Sequence, residues 1–195
     1  GKDISANEAD GSMYTNIANG TFDDIFVGDY FTKTINGTSY VLRVAGCDLY
    51  LNRSDTALTA HHIAVIPDTV LGDYPMHDAA TTGGGYVGTK MYEIASGMPS
   101  GWSWFGRKTI IMTLEEVAGC NAFGAYYTWY PYNIGISYGQ LPLFRLSPDK
   151  ICIRHTYWLR NMVNSSLISA ITDTGDLNRK SIVNPNGLRP MFLLG

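Results

Sequence analysis

Four histidines, three cysteines and seventeen acidic residues are the groups in this chain that could do chemistry. Their spacing commits them to very little. His61 and His62 are adjacent, and neighbouring side chains on an extended segment point to opposite faces, so both rings cannot easily reach one ion. His77-Asp78 could add ligands, but nothing has the tight spacing of a zinc site. These residues read as structural. Asp68, after Ile66-Pro67, reads as a turn or cap residue rather than a catalytic carboxylate. Cys47, Cys120 and Cys152 are odd in number and widely spaced, which fits small buried thiols better than a disulfide framework or a redox pair. Thr82-Gly83-Gly84-Gly85-Tyr86 lacks the Gly-Lys-Ser/Thr ending of a phosphate loop and reads as a hinge or a tight backbone pass. No Gly-x-Ser-x-Gly elbow occurs. The sequence therefore assigns no catalytic residue, no metal site and no cofactor.

The aromatic and short polar side chains say more. Trp102-Ser103-Trp104-Phe105 reads as core. Tyr126 to Tyr132, with Tyr127, Trp129 and Tyr130 at its centre, suits either a core between loops or a recognition surface, where rigid rings give contact area at low entropic cost. Between Tyr157-Trp158-Leu159-Arg160 and the final apolar run lies a long stretch of Asn, Ser, Thr and Asp with single apolar residues interleaved. That chemistry suits either a paratope-like surface or a solvated meander.

These residues must be positioned by short elements. Ile35-Asn36-Gly37-Thr38 sits between two β-rich runs, and Asn-Gly there predicts a tight hairpin. Ile63 to Ile66 is a continuous apolar strand, the pattern of a buried position. Tyr86 to Ile94 places Val87, Met91 and Ile94 on one helical face. Thr113-Leu114-Glu115-Glu116 fits a capping box with Gly119 as the stop. Pro148 could open a short helical turn, and Gly175 marks a hairpin tip. Residues 1–20 are small and polar, and read as a flexible lead-in or the end of a linker, leaving residues 21–195 as one α+β domain.

Composition excludes several classes. The 195 residues are 45% hydrophobic, enough for a core, and only 16% charged. A formal charge of −3 carries no footprint for nucleic acid. No apolar run is long enough to insert in a membrane as a helix, and Gly1-Lys2-Asp3 is no signal peptide.

The bracket Tyr157-Trp158-Leu159-Arg160 … Gly187-Leu188-Arg189-Pro190-Met191-Phe192-Leu193-Leu194 resembles the end of C-type-lectin-fold domains of phage and gut-bacterial origin. These include the ligand-binding proteins varied by diversity-generating retroelements and, more distantly, the formylglycine-generating-enzyme-like branch. Residues 22–52, 61–93, 101–119 and 140–148 are similar to a domain of phage and prophage tail-fibre or head-fibre proteins. The resemblance implies a C-type-lectin-like fold of short antiparallel strands, two or three short helices and long loops. It implies that Trp158, Leu159, Arg160, Gly187, Arg189 and Phe192 are scaffold. It nominates Asn161, Met162, Asn164, Ser165, Ile168, Thr172, Asp173, Asn178, Lys180 and Asn184 as ligand-binding positions; Tyr127, Trp129 and Tyr130 are added to them on their own aromatic chemistry. The catalytic cysteines of the formylglycine-generating branch have no match here, and that activity is not carried over.

The expectation is a non-enzymatic receptor-binding domain on a virion or cell surface, recognising a bacterial surface saccharide or protein. A homotrimer is compatible with the low charge. The alternatives are a virion or cell-surface assembly module without receptor binding and, further off, a metal-dependent enzyme using His61, His62 or His77 with Asp68 or Asp78.

Overall fold

A computed structural model describes residues 1–52, 59–98, 110–120 and 139–195. The elements run α1 (Ser5–Ala9), α2 (Ser12–Ala18), β1 (Tyr30–Ile35), β2 (Thr38–Cys47), β3 (Ile63–Pro67), β4 (Asp73–Pro75), α3 (Lys90–Ser96) and β5 (Ile110–Ile111). They continue with α4 (Leu114–Ala118), α5 (Pro142–Leu146), β6 (Tyr157–Met162), β7 (Leu167–Ile171), β8 (Leu177–Ser181), β9 (Pro185–Gly187) and β10 (Pro190–Leu194). The architecture is mixed α+β, with short, mainly antiparallel strands and a few short helices.

Among the described residues these strands form two five-stranded sheets, ordered β1-β2-β3-β10-β5 and β4-β9-β6-β7-β8. The β1–β2 hairpin closes where the sequence places it. Ile35 pairs with Thr38, and Asn36 (φ 50°) and Gly37 (φ 82°) occupy the two turn positions that need positive φ. The carboxy-terminal β10 lies inside its sheet, antiparallel to both β3 and β5.

Strands β3 and β10 are buried at every position because their sheet is covered on both faces. Side chains alternate along a strand. Ala64 and Ile66 of β3, with Met191 and Leu193 of β10, join a core that includes Tyr157, Trp158 and Leu159 of β6. Ile63, Val65, Phe192 and Leu194 face the other way, into a second cluster with Ile4, Met13 and Ile17. The amino-terminal segment is therefore no loose lead-in. Residues 5–18 fold into α1 and α2, and Met13 and Ile17 are fully buried. Its few apolar residues suffice as anchors because the opposite face of β3 and β10 needs a cover.

Local signals explain the other helices. The Thr113 hydroxyl accepts the Glu116 N–H at 3.1 Å, and the Glu116 carboxylate accepts the Thr113 N–H at 2.8 Å. That reciprocal cap starts α4, which ends at Gly119. The expected 86–94 helix is split into a 3-10 turn over Tyr86–Gly88 and α3, because Thr89 stays extended and caps α3 by accepting the Tyr92 N–H. Met91 is buried on the predicted face, with Val87 and Ile94 packed beside it. The 102–105 aromatic cluster lies outside the described residues.

Candidate functional site: a polar shelf around Arg154

The nominated ligand-binding residues divide into two groups. Asn161, Met162, Ile168 and Thr172 are buried, which corrects their assignment to a display surface. The physical reason is that β6 is buried along its whole length and β7 at all but its first residue, so neither strand has a free face. Asn161 holds α4 in place instead: its Oδ1 accepts the Leu114 N–H at 2.7 Å, and its Nδ2 donates to the Glu115 carboxylate at 3.2 Å. Met162 and Ile168 pack in the main core. The Thr172 hydroxyl accepts the Asp176 N–H at 3.0 Å and knits the β7–β8 turn.

Asn164, Ser165, Asp173, Asn178 and Asn184 are exposed, and Lys180 is half-buried. They sit in turns and on the edge strand β8 rather than across a sheet face. Asn164 also shapes its own turn, its Oδ1 accepting the N–H groups of Ser166 and Leu167 at 3.0 and 2.9 Å. Tyr127, Trp129 and Tyr130 lie outside the described residues. Trp158, Leu159, Arg160, Gly187, Arg189 and Phe192 are buried, in keeping with the scaffold role that the resemblance implies.

Two clefts meet at a residue that sequence reasoning passed over. One, about 290 Å³, is lined by Asp68, Asp149, Lys150, Cys152, Ile153 and Arg154. The other, about 370 Å³, is lined by Arg154, Asp73, His155, Thr156, Asp173, Pro185 and Asn186. Arg154 belongs to both. It is exposed and held at φ 56°, a left-handed conformation that is uncommon for a residue other than Gly, Asn or Asp.

The segment carrying it is pinned along its length. Pro148–Lys150 forms the 3-10 turn foreseen at Pro148. The Tyr157 hydroxyl donates to the Ile151 carbonyl at 2.9 Å, and Ile151 and Ile153 pack on the main core. The Cys152 thiol donates to the Asp173 carbonyl at 3.3 Å. Cys152 fits there because Gly175, at φ 91°, has no side chain: a Cβ on it would lie 3.0 Å from the Cys152 Cβ. His155 Nε2 is 2.7 Å from the Asp73 carboxylate, tying the segment to β4. Arg154 thus projects from a backbone anchored on both sides.

Charge around the first cleft is uneven. Asp68 takes a two-point grip from Arg43, Nε to Oδ1 at 2.9 Å and Nη2 to Oδ2 at 2.5 Å. Burial alone would raise the Asp68 carboxyl, but these bonds and the charges of Arg43, Lys150 and Arg189 outweigh it and hold the group below the ordinary carboxylate range. Arg189 is fully buried and donates Nε to the Pro67 carbonyl at 3.0 Å. Its guanidinium lies 5.0 Å from the Tyr157 ring centre and 5.7 Å from that of Phe144. Burial raises the Tyr157 hydroxyl, with Arg189 opposing.

His61, His62, His77 and Asp78 do not line this shelf, whereas Asp68 does. His61 and His62 diverge as adjacent residues should: His61 is partly exposed and His62 is fully buried. Both bond Asp48, His61 through Nδ1 at 2.7 Å and His62 through its backbone N–H at 2.9 Å. Asp78 pairs instead with Lys90 at the surface. Asp68 sits in the bend that follows β3, as a turn residue would, and its side chain pairs with Arg43 rather than capping a helix. Of the cysteines, Cys120 is exposed, while Cys47 and Cys152 are half-buried, so full burial was over-expected. Burial pushes the Cys47 thiol up to about 11. Among the described residues no three His, Cys, Asp or Glu side chains are grouped closely enough to hold a metal ion. No helix among them is long and apolar enough to cross a membrane.

No family model, curated protein or solved structure matches this chain.

Proposed function

We propose that this chain is a non-enzymatic recognition module of a phage or prophage fibre-type protein, C-type-lectin-like in kind, that binds a bacterial surface saccharide or protein. The observation that carries the reading is the meeting of two polar clefts at Arg154, an exposed side chain on a pinned and strained backbone. Strain of this kind is retained where surrounding structure over-determines it, and functional sites are where it collects. Donors and acceptors are mixed along the shelf: Arg154 and Lys150 donate, Asp73, Asp149 and Asp173 accept, and Asn186 and His155 do both. Such a set suits hydroxyl-rich or peptide ligands, with exposed Asn184 and Asn178 as further contacts. The resemblance of the 157–160 and 187–194 phrases to diversified ligand-binding domains supports the same class.

The test is binding of fluorescently labelled protein to intact bacterial cells from a panel of strains, comparing wild type with the variant R154A/D173A/N178A/N184A. All four side chains are exposed, so the variant is expected to fold. Wild type binding at least one strain, with the variant losing it, supports the proposal. Binding to none, or equal binding by both proteins, overturns it.

A further inference from the structure

We infer that the cleft between the Pro148–Lys150 turn and Asp68 accepts an anionic group, the carboxylate, sulfate or phosphate of a ligand; this deepens the recognition reading above and rests on it. Lys150 and Arg154 line the cleft with the two carboxylates Asp68 and Asp149, and Arg43 and Arg189, which do not line it, add positive charge beside Asp68. The local excess of positive charge runs opposite to the net −3 of the whole chain. Asp68 is spent on Arg43, and the third arm of that guanidinium, Nη1, donates to the Gly28 carbonyl at 2.8 Å. Among the described residues Lys150 and Arg154 have no ion-pair partner, and they line the same cleft.

Arg189 contributes charge from behind the cleft rather than as part of its lining. It is fully buried, its guanidinium lies against the Tyr157 and Phe144 rings, and its charge helps hold the Asp68 carboxyl low. Asp149, exposed at the rim, opposes an anion and sets a limit on affinity. The cleft volume of about 290 Å³ fits one sugar-sized or smaller group rather than a long chain.

The experiment is an amide chemical-shift titration of the full chain with sodium sulfate, with sodium glucuronate and with glucose, at constant ionic strength set by chloride. Saturable shifts confined to residues 150–156, with sulfate or glucuronate and not with glucose, are expected. The sulfate arm alone points to an ester or inorganic anion, and the glucuronate arm to a carboxylate sugar. K150Q/R154Q should weaken binding at least about tenfold, the loss of two charge-assisted hydrogen bonds, while K150R/R154K retains most of it. Shifts that rise linearly without saturating, or an unchanged affinity in K150Q/R154Q, overturn the inference. Cell binding by wild type in that case leaves the recognition reading standing with an uncharged ligand. Saturable anion binding without any cell binding does the reverse.

Discussion

Replacing Asp68 by Asn removes the charge that Arg43 grips while keeping the side chain's size. The pair has two short contacts, with side-chain exposures of 13% for Arg43 and 27% for Asp68. A solvent-exposed ion pair contributes about 0–1 kcal/mol, whereas breaking a fully buried one costs about 3–5 kcal/mol. This pair lies between, and Asn retains one oxygen acceptor, so a loss of about 2 kcal/mol is expected. For a chain of this size that corresponds to a fall in Tm of about 4–8 °C. The pH dependence follows from the depressed carboxyl. A group whose folded value is below its unfolded one stabilises above the unfolded value, about 3.9, and loses that contribution as pH falls through the folded value. Wild type should therefore melt higher than D68N at neutral pH, and the gap should close in acid below about pH 4. Thermal melts followed by circular dichroism across that range check it. Equal Tm values at neutral pH, or a gap that widens in acid, would refute the reasoning.

Other substitutions test other parts of the account. Ile168→Ala, offered by the sequence as a surface change, should cost about 2–4 kcal/mol in chemical denaturation because the side chain is fully buried. Met13→Ala should cost a similar amount, about 2–4 kcal/mol, if the amino-terminal helices cover the sheet; no change in the denaturation midpoint would return residues 1–20 to the status of a lead-in. Gly175→Ala should destabilise by about 1–2 kcal/mol, since its positive φ and the nearby Cys152 both resist a Cβ. Asp149→Asn should raise sulfate affinity several-fold in the shift titration, and a fall would contradict the charge balance drawn for the cleft.

Short-range chemistry was legible in the sequence, and long-range placement was not. The Asn36-Gly37 turn, the Thr113 cap, the 3-10 turn at Pro148 and the Gly175 hairpin tip each depend on a few adjacent residues, and all four form as expected. The continuous apolar run of β3 announces a strand buried on both faces. It does not say what covers the second face, and α1 and α2 carry too few apolar residues to announce themselves. Four of the nominated display positions, Asn161, Met162, Ile168 and Thr172, face inward for a related reason. The Asn161–Lys180 stretch is rich in Asn, Ser and Thr, but several of those groups serve the interior: Asn161 bonds α4, and the Ser169 hydroxyl donates to the Asn161 carbonyl at 3.0 Å. Composition cannot separate a polar residue that faces solvent from one that satisfies a buried backbone group. The Arg43–Asp68 pair joins residues twenty-five apart, and Arg189 reaches Pro67 across 122 positions, so neither had a local signature. Arg154 had only one clue, a lone basic residue among Ile, Cys and His, and its left-handed backbone cannot be read from that.

The binding comparison between wild type and R154A, a single exposed substitution at the junction of the two clefts, tests the central claim most directly. With labelled protein on a strain that wild type binds, the account predicts a loss of at least about tenfold in affinity with Tm unchanged. Undiminished binding by a folded R154A protein would contradict it.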